Sequence, residues 1–271
     1  MKIVSLNCSN TEIVCALGRA GELVGVDDHS DFPPAVVARL PRVGPDLTPD
    51  MERIKALEPD LVLASLTVPG HEKVIANLES AGLQYLAPEP TRLEDIYRDI
   101  EVIARALGAT DRAARVIDAM RSSVSKNRGS STDPKPTILV QWWPKPVISP
   151  GRLSWVNDLI EGVGAVNPLG EEAVKSRPLE DSEVRDMDPD VIVMSWCGVD
   201  PRKYRADVIC NKPEWAGLRA VREQRVYAVP EAYLGRPSPR LTSGCRALRS
   251  IVDVVSREST ADRQRQSDPS P

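Results

Sequence analysis

Histidine is nearly absent. Two in 271 residues, His29 and His71, are too few for a histidine-rich metal site. The five cysteines are an odd number at irregular spacings with no Cys-x-x-Cys pair, which excludes a disulfide scaffold or a zinc ribbon and leaves packed thiols. No apolar run approaches the ~18 residues of a membrane span. Neither sign of charge dominates: Lys+Arg 35 against Asp+Glu 39 leaves a net −4, so the phosphate backbone of a nucleic acid is not the partner. Gly-x-Ser-x-Gly, P-loop, Gly-x-Gly-x-x-Gly and His-Glu-x-x-His motifs are all missing, and the expectation is a protein that is not an enzyme. Cys197-Gly198 is the one candidate reactive thiol. No basic, apolar and small-residue leader precedes the first strand. A native start at residue 1 predicts a cytoplasmic protein with reduced thiols; a removed leader predicts a periplasmic or extracellular one.

What is present is a repeated α/β pattern. Lys2 to Leu6 reads as a strand, Ser9-Asn10-Thr11-Glu12 as a capping box opening a helix that Gly18 closes, and Leu23 to Val26 as the next strand. This is a βαβ start and predicts a parallel sheet. Leu61 to Ala64 is apolar throughout, as a strand buried on both faces must be. Helices are expected from His71 to Ala81, from a second capping box at Thr91-Arg92-Leu93-Glu94 to Leu107, and from Thr110 to Lys126. A polar, breaker-rich stretch at 128–135 marks a boundary. Beyond it come strands at Thr137 to Gln141, Val191 to Met194 and Arg225 to Val229, a helix at Trp155 to Glu161, and a last helix from Ser238 to Arg257.

An internal echo organises the chain. Leu57-Glu58-Pro59-Asp60-Leu61-Val62-Leu63-Ala64-Ser65 matches Met187-Asp188-Pro189-Asp190-Val191-Ile192-Val193-Met194-Ser195. The fold class is therefore α/β: two Rossmann-like lobes with parallel sheets, bridged by one long α-helix. The expected division is an N-terminal lobe over 1–108, a connecting helix over 109–128, a C-terminal lobe over 129–258 and a disordered tail over 259–271.

Ligands of parallel α/β sheets bind beyond the carboxyl ends of the strands. The loops there are Asn7 to Asn10, Asp27 to Pro34, Ser65 to Gly70, Trp142 to Ser154, Ser195 to Asp200 and Glu231 to Pro239. All five tryptophans lie after residue 140. Trp142, Trp143 and Trp196 directly follow strands, where an indole can stack on a flat ligand; Trp155 and Trp215 sit on helical stretches and read as packing. His29 in its acidic loop, Tyr233 after the last strand, and Arg236 beside Pro237-Ser238-Pro239 complete the candidate ligand-binding set, with Arg240 able to anchor a carboxylate or pair with acidic neighbours.

These segments, in order, are similar to a known family. Ile3-Val4-Ser5-Leu6, Leu23-Val24-Gly25-Val26, Asp31-Phe32-Pro33-Pro34, Ile54-Lys55-Ala56-Leu57-Glu58-Pro59-Asp60-Leu61-Val62, Pro189-Asp190-Val191-Ile192-Val193, Arg225-Val226-Tyr227-Ala228-Val229 and Arg236-Pro237-Ser238-Pro239-Arg240-Leu241 resemble the periplasmic-binding-type proteins of iron-siderophore and cobalamin ABC importers. Gln141-Trp142-Trp143-Pro144-Lys145-Pro146 and Trp196-Cys197-Gly198-Val199-Asp200 resemble the cobalamin-binding branch that lacks a signal peptide. The resemblance implies a monomer with two lobes, a cleft holding a corrinoid or another large metal chelate, no intrinsic cofactor, and delivery to an ABC permease through one acidic residue on each lobe; Glu72 and Asp200 lie in the matching loops. The alternatives are siderophore or haem binding on the same fold, which would call on His29, Tyr233, Arg236 and Arg240, and a cytosolic sensor or enzyme that reuses the fold.

Overall fold

The computed structural model describes residues 1–126 and 134–267, with side chains described up to Glu258. The chain divides into two units: Met1–Met120 with Arg236–Pro239, and Arg121–Gly235 with Arg240–Pro271. The boundary stretch expected at 128–135 falls largely outside the described residues.

In the first unit the order is β1 (Ile3–Ser5), α1 (Cys8–Ala16), β2 (Leu23–Val26), α2 (Pro34–Val37), α3 (Met51–Ala56), β3 (Leu61–Leu63), α4 (His71–Ser80), β4 (Tyr85–Leu86) and α5 (Leu93–Ala106). The four strands form one parallel sheet in the order β2-β1-β3-β4. Val4, Leu6, Val62 and Ala64 carry its core together with Ile54, Val74 and Leu78, all nearly or fully buried. Gly25 in β2 is needed for packing density: a Cβ there would lie 2.6 Å from Leu57 Cδ1. The long helix α6 (Thr110–Lys126) then carries the chain from the first unit into the second.

The second unit contains β5 (Ile138–Gln141), β6 (Trp143–Pro144), β7 (Val147–Pro150), α7 (Trp155–Gly162), β8 (Ser176–Leu179), α8 (Asp181–Met187), β9 (Val191–Met194), α9 (Ala206–Cys210), α10 (Arg219–Arg222), β10 (Val226–Ala228), α11 (Glu231–Leu234) and α12 (Leu241–Ser267). Strands β10-β9-β5 form a parallel sheet. The mixed fold with parallel sheets is the one the sequence pattern implies.

The internal echo has the same structural meaning in both units. Glu58 and Asp188 both take a left-handed backbone (φ 48° and 38°) that ends the preceding helix. Asp60 Oδ2 accepts from the N–H of Lys2 at 2.6 Å, and Asp190 Oδ2 from the N–H of Thr137 at 2.8 Å. Each aspartate thus ties the start of its own strand to the start of the neighbouring parallel strand, β3 to β1 and β9 to β5. The counterpart of β2 is reduced to a bridge between Thr137 and Val166.

Three expectations are corrected. The stretch from Trp142 to Ser154 is not only loop: β6, β7 and β8 form an antiparallel sheet, with Trp143 opposite Ile148 and Val147 opposite Leu179. Pro144, Pro146, Pro150 and Pro178 disguise it, because proline cannot donate to a ladder and its presence argues against a strand. The first helix is capped by Asn7, not Ser9: Asn7 Oδ1 accepts from the Ser9 N–H at 3.1 Å, and Ser9 lies inside α1. The last helix runs on to Ser267, so the backbone of 259–267 is helical where a tail was expected; no Pro or Gly stands between Gly244 and Pro269. Residues 268–271 of that tail lie outside the described residues. Among the described residues no helix is long and apolar enough to cross a membrane.

Candidate functional site

In the first unit, the carboxyl ends of β1 and β2 are braced by a chain of buried hydroxyls. Ser30 Oγ donates to Asp27 Oδ1 at 2.5 Å, Thr11 Oγ1 lies 2.8 Å from Ser30 Oγ, and it donates to Ser5 Oγ at 2.9 Å. Burial pushes the Asp27 carboxyl above its ordinary value, and hydrogen bonds from Ser30 and the His29 N–H pull the other way. Arg42 Nη1 donates to the carbonyls of Asp27 and Ser30, both at 2.7 Å, which fixes the loop after β2.

His29 stands exposed on that loop with Nε2 4.0 Å from Asp46 Oδ1. His71, the first residue of α4, is buried, and its Nε2 lies 3.4 Å from Asp46 Oδ2. The hydrogen bond from His71 holds the Asp46 carboxyl below its usual value, with the charge interactions of both imidazoles adding to it. Asp46 and the role of His71 escaped the sequence reading; only the fold brings residues 29, 46 and 71 together. Around them Phe32, Leu47 and Val68 are exposed at 40%, 45% and 43%.

Arg236, expected as a ligand contact, is committed elsewhere. Its guanidinium pairs with Glu12 Oε1 at 3.2 Å and Asp31 Oδ1 at 2.5 Å, and Ser238 Oγ donates to Glu12 Oε2 at 2.5 Å. Glu12, assigned by sequence to a capping box, is instead the nearly buried carboxylate that pins the 236–239 segment.

In the second unit the tryptophans part company. Trp143 is 41% exposed on β6. Trp142, half-buried, donates its N–H to Ile148 O at 2.8 Å and accepts from the Cys197 N–H at 3.0 Å, so it links β7 to the loop after β9. Trp196 is only 6% exposed. It packs in the core with Leu139, Met194 and Trp215, and its ring lies 5.3 Å from that of Tyr204. The expectation that Trp196 lines a ligand is therefore corrected: strand alternation turns it to the same face as Ile192 and Met194, into the core. Burial raises the Tyr204 hydroxyl to about 12; that hydroxyl donates to Trp196 O at 3.0 Å and accepts from the Glu231 N–H at 3.3 Å. Trp215 is buried as expected, and Trp155 donates from Nε1 to Leu234 O at 2.7 Å. Tyr233, half-buried on α11, lies under the Arg240 guanidinium at 5.0 Å.

The two acidic residues expected to dock a permease are both at surfaces. Glu72 in the first turn of α4 accepts from the Gly70 N–H at 2.9 Å. Asp200 makes a two-point pair with Arg202, which holds its carboxyl at about 2. The five cysteines are free thiols, with Cys197 exposed and Cys245 buried. Among the described residues no group of three or more His, Cys, Asp or Glu side chains is placed to hold a metal ion.

Comparison with known proteins places this architecture. A family model described as periplasmic binding protein matches residues 3–233. An ABC transporter substrate-binding lipoprotein of Bacillus subtilis, YvrC, is 29% identical over 258 residues, covering 93% of this chain and 79% of that protein. A vitamin B12-binding protein of Vibrio cholerae is 24% identical over 262 residues, covering 95% and 91%. Among solved structures, the periplasmic haem-binding protein RhuT from Roseiflexus sp. RS-1 matches with a TM-score of 0.80 at 26% identity, covering 94% of this chain and 98% of that one. With the family model spanning most of its length, the chain belongs to the periplasmic binding protein family.

Proposed function

We propose that this chain is the substrate-binding component of an ABC importer, working outside the cytoplasmic membrane as a monomer, and that its ligand is a large flat metal chelate of the tetrapyrrole class, a corrinoid first. The observation that carries the ligand class is the exposed Trp143 beside half-buried Trp142, set on a paired hairpin at the carboxyl end of β5. An indole held by strand pairing offers a rigid apolar plane at little entropic cost, which suits a macrocycle better than the hydrophilic surface of a siderophore. Support comes also from relatives described as vitamin B12-binding and haem-binding. Tyr233, clamped by Arg240, is the proposed second aromatic contact.

Titration with cyanocobalamin, cobinamide, haemin and a ferric siderophore, read by visible absorbance and tryptophan quenching, tests the ligand class. Saturable binding of a tetrapyrrole supports it; saturation by the siderophore alone refutes it. Haem is the second reading on the same surface, favoured by the RhuT likeness, and a Soret change with haemin but none with cobalamin would select it.

Glu72 and Asp200 are the proposed docking acids. Because Asp200 is already paired with Arg202, docking through it exchanges one guanidinium for another basic group. Glu72→Lys and Asp200→Lys should each weaken ligand-stimulated ATP hydrolysis by the permease in proteoliposomes while leaving ligand affinity unchanged. Unaltered stimulation by both variants would remove these two residues from the interface.

A further inference from the structure

We propose that Trp155, Tyr204 and Gly244 are positioning residues: from three separate segments they hold the one-turn helix α11 in place, and so mount the Tyr233 ring as a preset contact for the ligand. Helix α11 spans only Glu231–Leu234. Four residues cannot hold a helical turn by themselves, because fixing the first turn costs more conformational entropy than one hydrogen bond offsets. Its local bonds are the Gly235 N–H donating to Glu231 O at 2.7 Å and the Tyr233 N–H donating to Pro230 O at 2.9 Å. The shape is therefore imposed from outside the turn.

A distant aromatic side chain meets each open end of the turn. At the start, the Glu231 N–H has no helical carbonyl within reach and donates to the Tyr204 hydroxyl at 3.3 Å. That hydroxyl donates in turn to Trp196 O at 3.0 Å, just past the end of β9. At the finish, Leu234 O accepts from Trp155 Nε1 at 2.7 Å. Trp155 is the first residue of α7, whose start is fixed where the Ser154 hydroxyl accepts from the Val156 N–H at 3.3 Å.

Between these two anchors, α12 closes on the backbone of the turn itself. A Cβ at Gly244 would overlap Tyr233 O and would lie 2.8 Å from Leu234 Cδ2, so only glycine lets α12 come this near. Arg240, one residue ahead of α12, stands over the Tyr233 ring at 5.0 Å, and the close approach at Gly244 sets that cation on the ring. Leu234 is fully buried and Ala232 nearly so, while Tyr233 between them is half-buried. With its backbone anchored and one face covered by Arg240, the ring loses little freedom when a flat ligand stacks on the other face, and this preorganisation favours binding.

The consequence for binding rests on the functional reading above, in which Tyr233 touches ligand; the mount itself does not. The test uses the full chain labelled with 15N and the variant Trp155→Phe, which keeps an aromatic ring at that position and removes the Nε1 donor. Hydrogen exchange at the Gly235 and Tyr233 amides should quicken about tenfold, while Val229, whose N–H donates to Met194 O at 2.9 Å, keeps its rate. Unchanged exchange at the two amides, or equal quickening at Val229, would overturn the mount. Cyanocobalamin affinity should fall about threefold in Trp155→Phe and about tenfold in Gly244→Ala, and neither change should weaken binding further once Tyr233→Ala is present. Where Gly244→Ala does not fold, Trp155→Phe alone completes the cycle. A loss that persists at full size in the Tyr233→Ala background would overturn the positioning role, since the residues would then act through the fold at large. Quickened exchange at the two amides, with no tetrapyrrole bound by the native chain, would uphold the mount and refute the ligand reading instead.

Discussion

Trp143 and Trp196 both stand just past the end of a strand of the same parallel sheet, β5 and β9, yet their surroundings give them opposite work. Trp196 is enclosed by Leu139, Met194, Tyr204 and Trp215, so Trp196→Ala empties a core position and should cost about 3–5 kcal/mol in chemical denaturation. Trp143→Ala removes a largely exposed ring and should change stability by no more than about 0.5 kcal/mol while weakening tetrapyrrole binding about tenfold. If Trp143→Ala unfolds early and binds normally, the indole is a packing residue. Asp99 on α5 gives a pH signature. Burial raises its carboxyl to about 6, against the lowering effect of Arg98, and its Oδ2 is buried with no hydrogen-bond partner in the described structure. The folded chain therefore holds a proton that the unfolded chain, with an ordinary aspartate near ~4, has lost, and stability falls as pH rises from about 4 to about 6. Asp99→Asn should abolish that fall and stabilise the chain by roughly 1–3 kcal/mol at pH 7, with little effect at pH 4. Urea melts at the two pH values decide this; equal effects at both would contradict it.

At the level of elements, α1 and β5 show where local sequence misleads. Ser9 to Glu12 fits a capping box by spacing, but Asn7 caps two residues earlier, which frees Glu12 to meet Arg236 and Ser238, more than two hundred residues away. Nothing near Glu12 in sequence announces that partner. Breaking one side of a nearly buried pair strands the other charge, so Glu12→Ala should destabilise by about 3 kcal/mol or more. Gln141, at the end of β5, is fully buried with neither amide atom hydrogen-bonded in the described structure. Strand register sets it beside Met194, on the core face shared with Leu139. Gln141→Met keeps the shape and removes the orphaned amide, and should raise stability by about 1–2 kcal/mol; a loss of stability would mean that the amide is satisfied by water. By contrast, β3 and β9 were legible at once. An uninterrupted apolar run after Pro-Asp has one economical solution, a strand buried on both faces, and the aspartate proved to tie the neighbouring strand in both units. The β6–β8 sheet was hidden because its prolines erase the alternation by which a strand is read.

For the whole molecule, two α/β units with related strand orders, β1-β3-β4 and β5-β9-β10, belong to one chain of the periplasmic binding protein family. The site was less legible than the fold. The strand-end loops were found from topology alone, and Trp142, Trp143, His29 and Tyr233 do sit on or beside them. Arg236 and Trp196 did not keep the roles their positions suggested, since a side chain's direction and partners depend on residues distant in sequence. The most direct test of the account is a paired titration of the native chain and Trp143→Ala with cyanocobalamin, with haemin and a ferric siderophore as competitors. The account predicts saturable tetrapyrrole binding by the native chain, about tenfold weaker in the variant, and no displacement by the siderophore. Full displacement by the siderophore, or equal affinities in the two proteins, would contradict it.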